Sequence, residues 1–165
     1  MLKSISLIFP LFNEIDYIRI TIPTAVSVLD SIGLDYEIII VDDASYDGSE
    51  KIADELARLN PKIKVIHHSN NKKLGAVLRS GFQCASKDIV IYADIDMPFD
   101  LSVFKDIVWL IERADIIYGN RVGGEKSLKR RAYSAFYNFL IRKLFRVNIK
   151  DVNFAMKIFR RELLD

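Results

Sequence analysis

The chain is 165 residues long, half of them hydrophobic, and carries 24 Lys and Arg against 22 Asp and Glu. That size and apolar content can bury one core, most simply as a single domain over 1–165. One cysteine excludes an internal disulfide framework, and with a net charge of +2, no signal peptide and no apolar run near the roughly 20 residues of a membrane span the sequence as given is expected to be cytoplasmic or peripheral.

From the N-terminus, Ile5 to Phe9 reads as a strand that ends at Pro10-Leu11-Phe12-Asn13-Glu14. A helical pattern of Ile15, Ile18, Ile22, Val26 and Leu29 follows, and Pro23 within it predicts a kink or restart. Glu37 to Val41 is a second strand, emptying into Asp42-Asp43-Ala44-Ser45-Tyr46-Asp47-Gly48-Ser49, after which Ile52, Leu56 and Leu59 mark another helix. Ile63 to His67 reads as a short strand, Gly75 to Ala85 as a helix, Ile89 to Ala93 as a strand, 101–112 as a helix and Asp115 to Gly119 as a further strand. Tyr133, Phe136, Tyr137, Leu140, Ile141 and Leu144 then form an apolar helical stripe, with Arg142, Lys143 and Arg146 around Phe139 on the opposite side. Alternating strands and helices predict an α/β fold, a Rossmann-like, mostly parallel sheet flanked by helices. In such a sheet ligands sit outside the carboxyl ends of the strands, where strand order reverses. The polar clusters after the first, second and fourth strands are therefore expected on one edge.

The sharpest of these clusters is Asp94-Ile95-Asp96. Positions i and i+2 of an extended segment point the same way, so two carboxylates share one space at the end of a buried strand. They repel unless a cation or polar ligand neutralises them, and Mg2+ or Mn2+ is the natural tenant, bound by carboxylates together with substrate phosphates. The plainer reading, a solvated Asp-rich turn, loses weight because two other acidic clusters fall at strand ends. Neither G-x-G-x-x-G nor G-x-x-x-x-G-K-[ST] occurs, so a cradle of backbone amides for phosphate is not expected. Cys84 lies in a helical pattern and reads as core packing, while His67 and His68, with no Cys or third His nearby, are poor zinc ligands. Charge is lopsided: residues 1–119 hold 12 basic against 18 acidic side chains, and residues 120–165 hold 12 against 4. The acidic part suits a metal and nucleotide; the basic part suits an anionic partner or a membrane surface, unless it is only a solvated face.

Phe9 to Glu14, Val41 to Ser49, Asn71 through Gly75 to Gly81, Asp94-Ile95-Asp96, Gly119-Asn120-Arg121, and Asp151-Val152-Asn153 with Lys157 together resemble family 2 glycosyltransferases over nearly the whole chain. Within that family the Arg121 segment, Lys129-Arg130-Arg131 with Ser134, and the block from Asp151 to Arg161 are most similar to the polyprenol-phosphate sugar transferases, the dolichol-phosphate mannosyltransferase and undecaprenyl-phosphate group. The resemblance implies a GT-A fold and a metal-dependent, inverting hexosyltransferase. A nucleotide diphosphate sugar would be the donor and a polyprenol (dolichol or undecaprenol) phosphate the acceptor. It assigns the base and ribose to Pro10, Phe12, Glu14, Ile40 and Asp42, and the diphosphate with Mg2+ or Mn2+ to Asp94, Ile95 and Asp96. It assigns the acceptor phosphate to Arg121, Arg130, Arg131 and Ser134, with Asp94, Asp96 and Arg121 as the catalytic set. An acceptor phosphate is already anionic and needs no general base. The location implied is cytoplasmic, peripheral on the cytoplasmic face of a membrane, and no nucleic-acid partner is expected.

The chain departs from the family pattern at Ala44, where Gly is common, at Met97-Pro98, where a polar residue is common, and at Ala155-Met156, where Gly-Phe is frequent. It ends at Asp165, earlier than family members that carry further Arg and Lys, which is expected to mark a short or truncated catalytic domain. The Gln-x-x-Arg-Trp signature of processive synthases is absent, Trp109 being the only Trp. Two other functions fit the same residues: transfer to a sugar or protein hydroxyl, which would need a general base, and a non-catalytic nucleotide-sugar-binding domain.

Overall fold

The computed structural model describes residues 4–96, 100–120, 137, 139, 141–145 and 154–164. The chain forms two compact units, one of 1–117 with 156–165 and one of 118–155. The first unit is built on β1 (Ser4–Leu11), α1 (Ile15–Ile32), β2 (Asp35–Asp42), α2 (Ser49–Leu59), β3 (Ile63–His67), α3 (Lys73–Cys84) and β4 (Ile89–Tyr92). A helical stretch with 3-10 geometry at both ends and α4 (Phe104–Ile107) at its centre leads to β5 (Ile116–Tyr118), and the sheet is completed by β6 (Lys157–Arg160). In the second unit the described residues 137, 139 and 141–145 are helical.

Sheet order is β3-β2-β1-β4-β6-β5. The pairs β2–β3, β1–β2 and β1–β4 are parallel, while β6 runs antiparallel to β4, Tyr92 opposite Lys157. The sheet is therefore mixed, with a parallel majority. Ile38, Ile39, Ile40 and Val41 of β2 are all fully buried, so both faces of this strand are covered, as an apolar run without alternation requires. One face forms a cluster of Ile8, Ile39, Val41, Val90 and Phe159 against Val77 of α3, with Phe82 edge-on to Phe159 at 5.3 Å between ring centroids. At Gly81 the helix comes so close to β1 that a Cβ would lie 2.6 Å from Ile8 Cγ2.

Two local expectations change. Of the kink or restart expected at Pro23, the restart does not occur, because α1 runs as one helix through Ile32. The buried stripe is Ile18, Thr21, Ile22, Ala25, Val28 and Leu29, and Pro23 lies off it, exposed, where water can satisfy the carbonyl that its missing N–H leaves unpaired. The segment over 101–112 is not one regular helix but changes geometry twice, starting where Asp100 accepts a hydrogen bond from Ser102 N at 2.8 Å.

Sheet order reverses between β1 and β4, because β1 continues to β2 on one side and to β4 on the other. Their carboxyl ends define the crevice in which a ligand of an open α/β sheet is bound.

Candidate functional site

A cavity of about 360 Å3 occupies that crevice. The end of β1 supplies Pro10, Leu11, Phe12 and Glu14; the residue after β2 supplies Asp43; the start of α3 supplies Asn71, Lys73, Leu74 and Val77; and the turn after β4 supplies Asp94, Ile95 and Asp96. The β4 turn is held from below. Ala93 N donates to Ile8 O at 3.1 Å, and the buried Thr21 hydroxyl donates to Ile95 O at 2.7 Å, so Ile95 is tucked into the core and its two acidic neighbours are left at the cavity. Tyr92 donates its phenol to Asp94 Oδ1 at 2.9 Å. Burial first, then the charge of Asp94, pushes the Tyr92 pKa up, so the phenol stays a donor.

The cavity is strongly acidic. Burial and then the like charges of Asp96, Asp47 and Asp94 raise the pKa of Glu14. Crowded carboxylates of this kind attract a cation, and the hard oxygen donors of Asp94 and Asp96 fit Mg2+ or Mn2+ in chemistry. Among the described residues no three His, Cys, Asp or Glu side chains converge into a metal cage. A divalent ion here would thus take two protein carboxylates and complete its shell with water and phosphate oxygens, the habit of Mg2+.

The turns after β1 and β2 are laced to each other. Asn13 N donates to Ser45 Oγ and Tyr46 N donates to Asn13 Oδ1, each at 3.0 Å, with Asn13 and Ala44 both in the left-handed region at φ 56° and 64°. Asn tolerates that region well, and Ala44 stands where a Gly would be unstrained. Asp47 accepts from Ile15 N and Ser49 N, both at 3.0 Å, tying down the starts of α1 and α2. Phe12 meets Tyr46 edge-on, 6.1 Å between centroids, at the cavity mouth.

Of the residues singled out in the sequence, Pro10, Phe12, Glu14, Asp94, Ile95 and Asp96 are brought together around one cavity. Ile40 is buried within β2, and Asp42 is buried with its oxygens 2.9 Å from His67 Nδ1 and 3.0 Å from Ser45 N, so neither lines it. Its neighbour Asp43 does. The doublet Asp42-Asp43 carried that signal, but strand alternation alone does not say which of two adjacent acids faces the ligand edge. Asn71, Lys73, Leu74 and Val77 were visible only as part of a motif with no role attached. Arg121, Arg130, Arg131 and Ser134 lie outside the described residues, as do Met97-Pro98 and Asp151-Val152-Asn153. His67 and His68 prove to be carboxylate partners, of Asp42 and Asp43 respectively.

The family model for "Glycosyl transferase family 2" matches residues 6–165. The chain belongs to that family. This family 2 chain is 27% identical over 169 residues to an undecaprenyl-phosphate 4-deoxy-4-formamido-L-arabinose transferase of Aeromonas hydrophila, covering 99% of the chain and 51% of the relative. It is 28% identical to glycosyltransferase AglD of Haloferax volcanii, covering 98% of the chain and 27% of the relative. The chain thus spans about half the length of the first relative and about a quarter of the second. Its fold is that of the GT-A transferases. A mannosyltransferase of Pyrobaculum calidifontis, solved in complex with GDP-Man and Mn2+, superposes with a TM-score of 0.61 at 21% identity, covering 97% of this chain and 45% of that one.

Proposed function

We propose that this family 2 chain transfers a hexose, with inversion, from a nucleoside diphosphate sugar to a polyprenol phosphate, in a reaction that depends on Mg2+ or Mn2+. The observation that carries the reading is the Asp94 and Asp96 pair at the switch point of the sheet, sharing one cavity with Pro10, Phe12 and Glu14. Phe12 offers an aromatic face to a base, and Glu14 can accept from ribose hydroxyls. A divalent cation held at Asp94 and Asp96 would offset the charge that builds on the departing diphosphate. An acceptor phosphate oxygen attacks the anomeric carbon from the side opposite the diphosphate, the bond to the diphosphate breaks, and the electron pair leaves with it. No proton needs to be removed from such an acceptor, so Arg121, Arg130, Arg131 and Ser134 have only to hold it.

The likeness to the undecaprenyl-phosphate transferase of Aeromonas hydrophila supports a lipid-phosphate acceptor. Among the described residues no helix is long and apolar enough to cross a membrane. Peripheral contact is supported by the second unit, where Tyr137, Phe139, Leu144 and Phe145 are exposed beside Arg142 and Lys143. The test is turnover of the chain with a panel of nucleotide sugars and Mg2+ or Mn2+. The panel of acceptors is polyprenol phosphate in anionic and neutral vesicles, free sugars and a serine peptide. Transfer to the lipid phosphate is expected, faster from anionic vesicles at low salt, with the difference shrinking as salt rises. Transfer to the hydroxyl acceptors instead would move the chain to the hydroxyl-transferring class, and binding without any transfer would make it a nucleotide-sugar-binding domain.

A further inference from the structure

Both nitrogens of the His67 ring face carboxylates. Nδ1 lies 2.9 Å from Asp42 Oδ2 at the end of β2, and Nε2 lies 3.1 Å from Asp54 Oδ1 on α2. Only an imidazolium can donate to both, because a neutral ring carries a single N–H. The Asp42 side chain is 3% exposed and that of Asp54 57%, which decides where the last proton stays. A buried carboxylate stripped of its donor costs more than one in water, so Nδ1 keeps its proton and the Nε2 lone pair is left facing Asp54. Deprotonation therefore exchanges an attraction between β3 and α2 for a repulsion. The bond to Asp42 first, then Asp54, raise the His67 pKa from 6.5 against burial. Among the described residues these two acids are the charges that face the ring; the α2 cations Lys51 and Arg58 line a surface depression with Asp54 and Val65, and Arg58 Nε turns to Asp54 O at 3.4 Å.

The helix α2 is thinly seated. Its buried residues are Ser49, Ile52 and Ala53, all in its first half, and the ion pair of Glu55 with Arg19 on α1, at 4.0 Å, is exposed on both sides. Elements with few buried contacts open at small cost, so a bridge from the middle of α2 to two strand ends carries weight. The path from α2 to the cavity is continuous. Asp47 accepts from Ser49 N and Ser49 Oγ at the start of α2 and from Ile15 N, Tyr46 N donates to Asn13 Oδ1, and the Tyr46 ring meets Phe12 at the cavity mouth. Asp42 holds the same turn from the other end, accepting from Ser45 N at 3.0 Å. We propose that His67 is a positioning residue for the nucleotide site: as an imidazolium it latches α2 to β2 and holds the 42–49 turn at the cavity mouth, and on losing its proton it lets α2 go. The proposal rests on the nucleotide-sugar reading above and adds to it a dependence on pH.

The test has two readouts on the whole chain, and the first needs no nucleotide. Proton NMR follows the ring signals of the chain's two histidines, with His67→Gln identifying that of His67, while amide exchange measures protection along α2 at each pH. Protection in α2, corrected for the intrinsic rate, should fall about threefold as His67 titrates, the size of one half-exposed ion pair. It should stay level in His67→Gln and in Asp54→Asn, whose amide can meet the ring in either state. The second readout is calorimetric titration with UDP and GDP in Mg2+ over the same pH range. The original chain should bind the preferred diphosphate about threefold more tightly than Asp54→Asn below the His67 titration and no more tightly above it, the ratio removing the ionisation of the nucleotide itself. Protection in α2 that ignores the His67 titration would overturn the proposal. So would an affinity ratio constant with pH, which would give His67 a part in packing only. If the unaltered chain bound neither nucleotide, the nucleotide-sugar reading would fall and the positioning role with it, while the exchange data alone would still show whether the latch exists, so the two failures are told apart.

Discussion

Glu37 shows at the scale of one residue how the sheet is locked at the end away from the cavity. Its buried carboxylate accepts from Ser6 Oγ and Lys64 Nζ at 2.6 Å each and from Ser86 N at 2.7 Å. Burial alone would raise its pKa, but these donors outweigh it and hold the carboxyl at about 2, down from 4.5. A depressed carboxylate pKa contributes stability that is complete above the unfolded value of 4.5 and is lost as pH falls toward 2. Glu37→Gln, which leaves Lys64 and the Ser86 amide poorly matched, should destabilise the chain by roughly 2–3 kcal/mol at neutral pH. Urea unfolding from pH 7 down to pH 2 should show the two proteins converging. A constant gap across that range would mean that the carboxylate charge has no part in the network. His67 behaves in the opposite sense. Asp42 first, then Asp54, raise its pKa against burial, so its contribution is complete below 6.5 and fades as pH rises through the folded value.

The elements that were legible in the sequence are those whose pattern is local. The runs in β2 and β4 are apolar without interruption, that of β1 is broken only by Ser6, and the stripe of α1 repeats at helical spacing, so each is visible over a few residues. The strand β6 was not legible. It has four residues, Lys157 to Arg160, and exists because it pairs with β4 across a long stretch of chain. The choice between Asp42 and Asp43 was hidden for the same reason. The parallel register sets Asp42 beside His67, which takes up its carboxylate, and leaves Asp43 for the cavity and for the start of α3. Asp94 and Asp96 were legible as an acid pair closing an apolar run, although they lie in the turn after β4 and not in an extended segment, where the bond from Thr21 to Ile95 leaves both acids at the cavity. Pro23 misled because proline is judged by the hydrogen bond it removes, and that loss is small on an exposed helix face. Pro23→Ala restores the donor and, on this exposed face, should stabilise the chain by about 1 kcal/mol, measured by thermal unfolding. A lowered melting temperature would show that the fixed backbone of Pro23 contributes more, by limiting the unfolded chain, than its missing donor costs.

On the scale of the whole molecule, the order β3-β2-β1-β4 makes the crevice, and acidic residues from β1, β2 and β4 converge there although the chain as a whole is slightly basic. The complementary basic residues are concentrated after residue 119, the division expected of a protein that meets a metal-bound nucleotide with one part and an anionic acceptor with another. The proposed function requires that the Asp94 and Asp96 pair receive a nucleoside diphosphate through a divalent cation. Calorimetric titration of the chain with UDP and GDP, with Mn2+ and then with excess chelator, tests it most directly. Binding of one nucleotide that weakens at least tenfold on chelation, and that loses its metal dependence in Asp96→Asn, is the result predicted. Equal affinity with and without the metal, or an Asp96→Asn variant that still responds to it as the original chain does, would rule out a metal-bridged diphosphate at this pair.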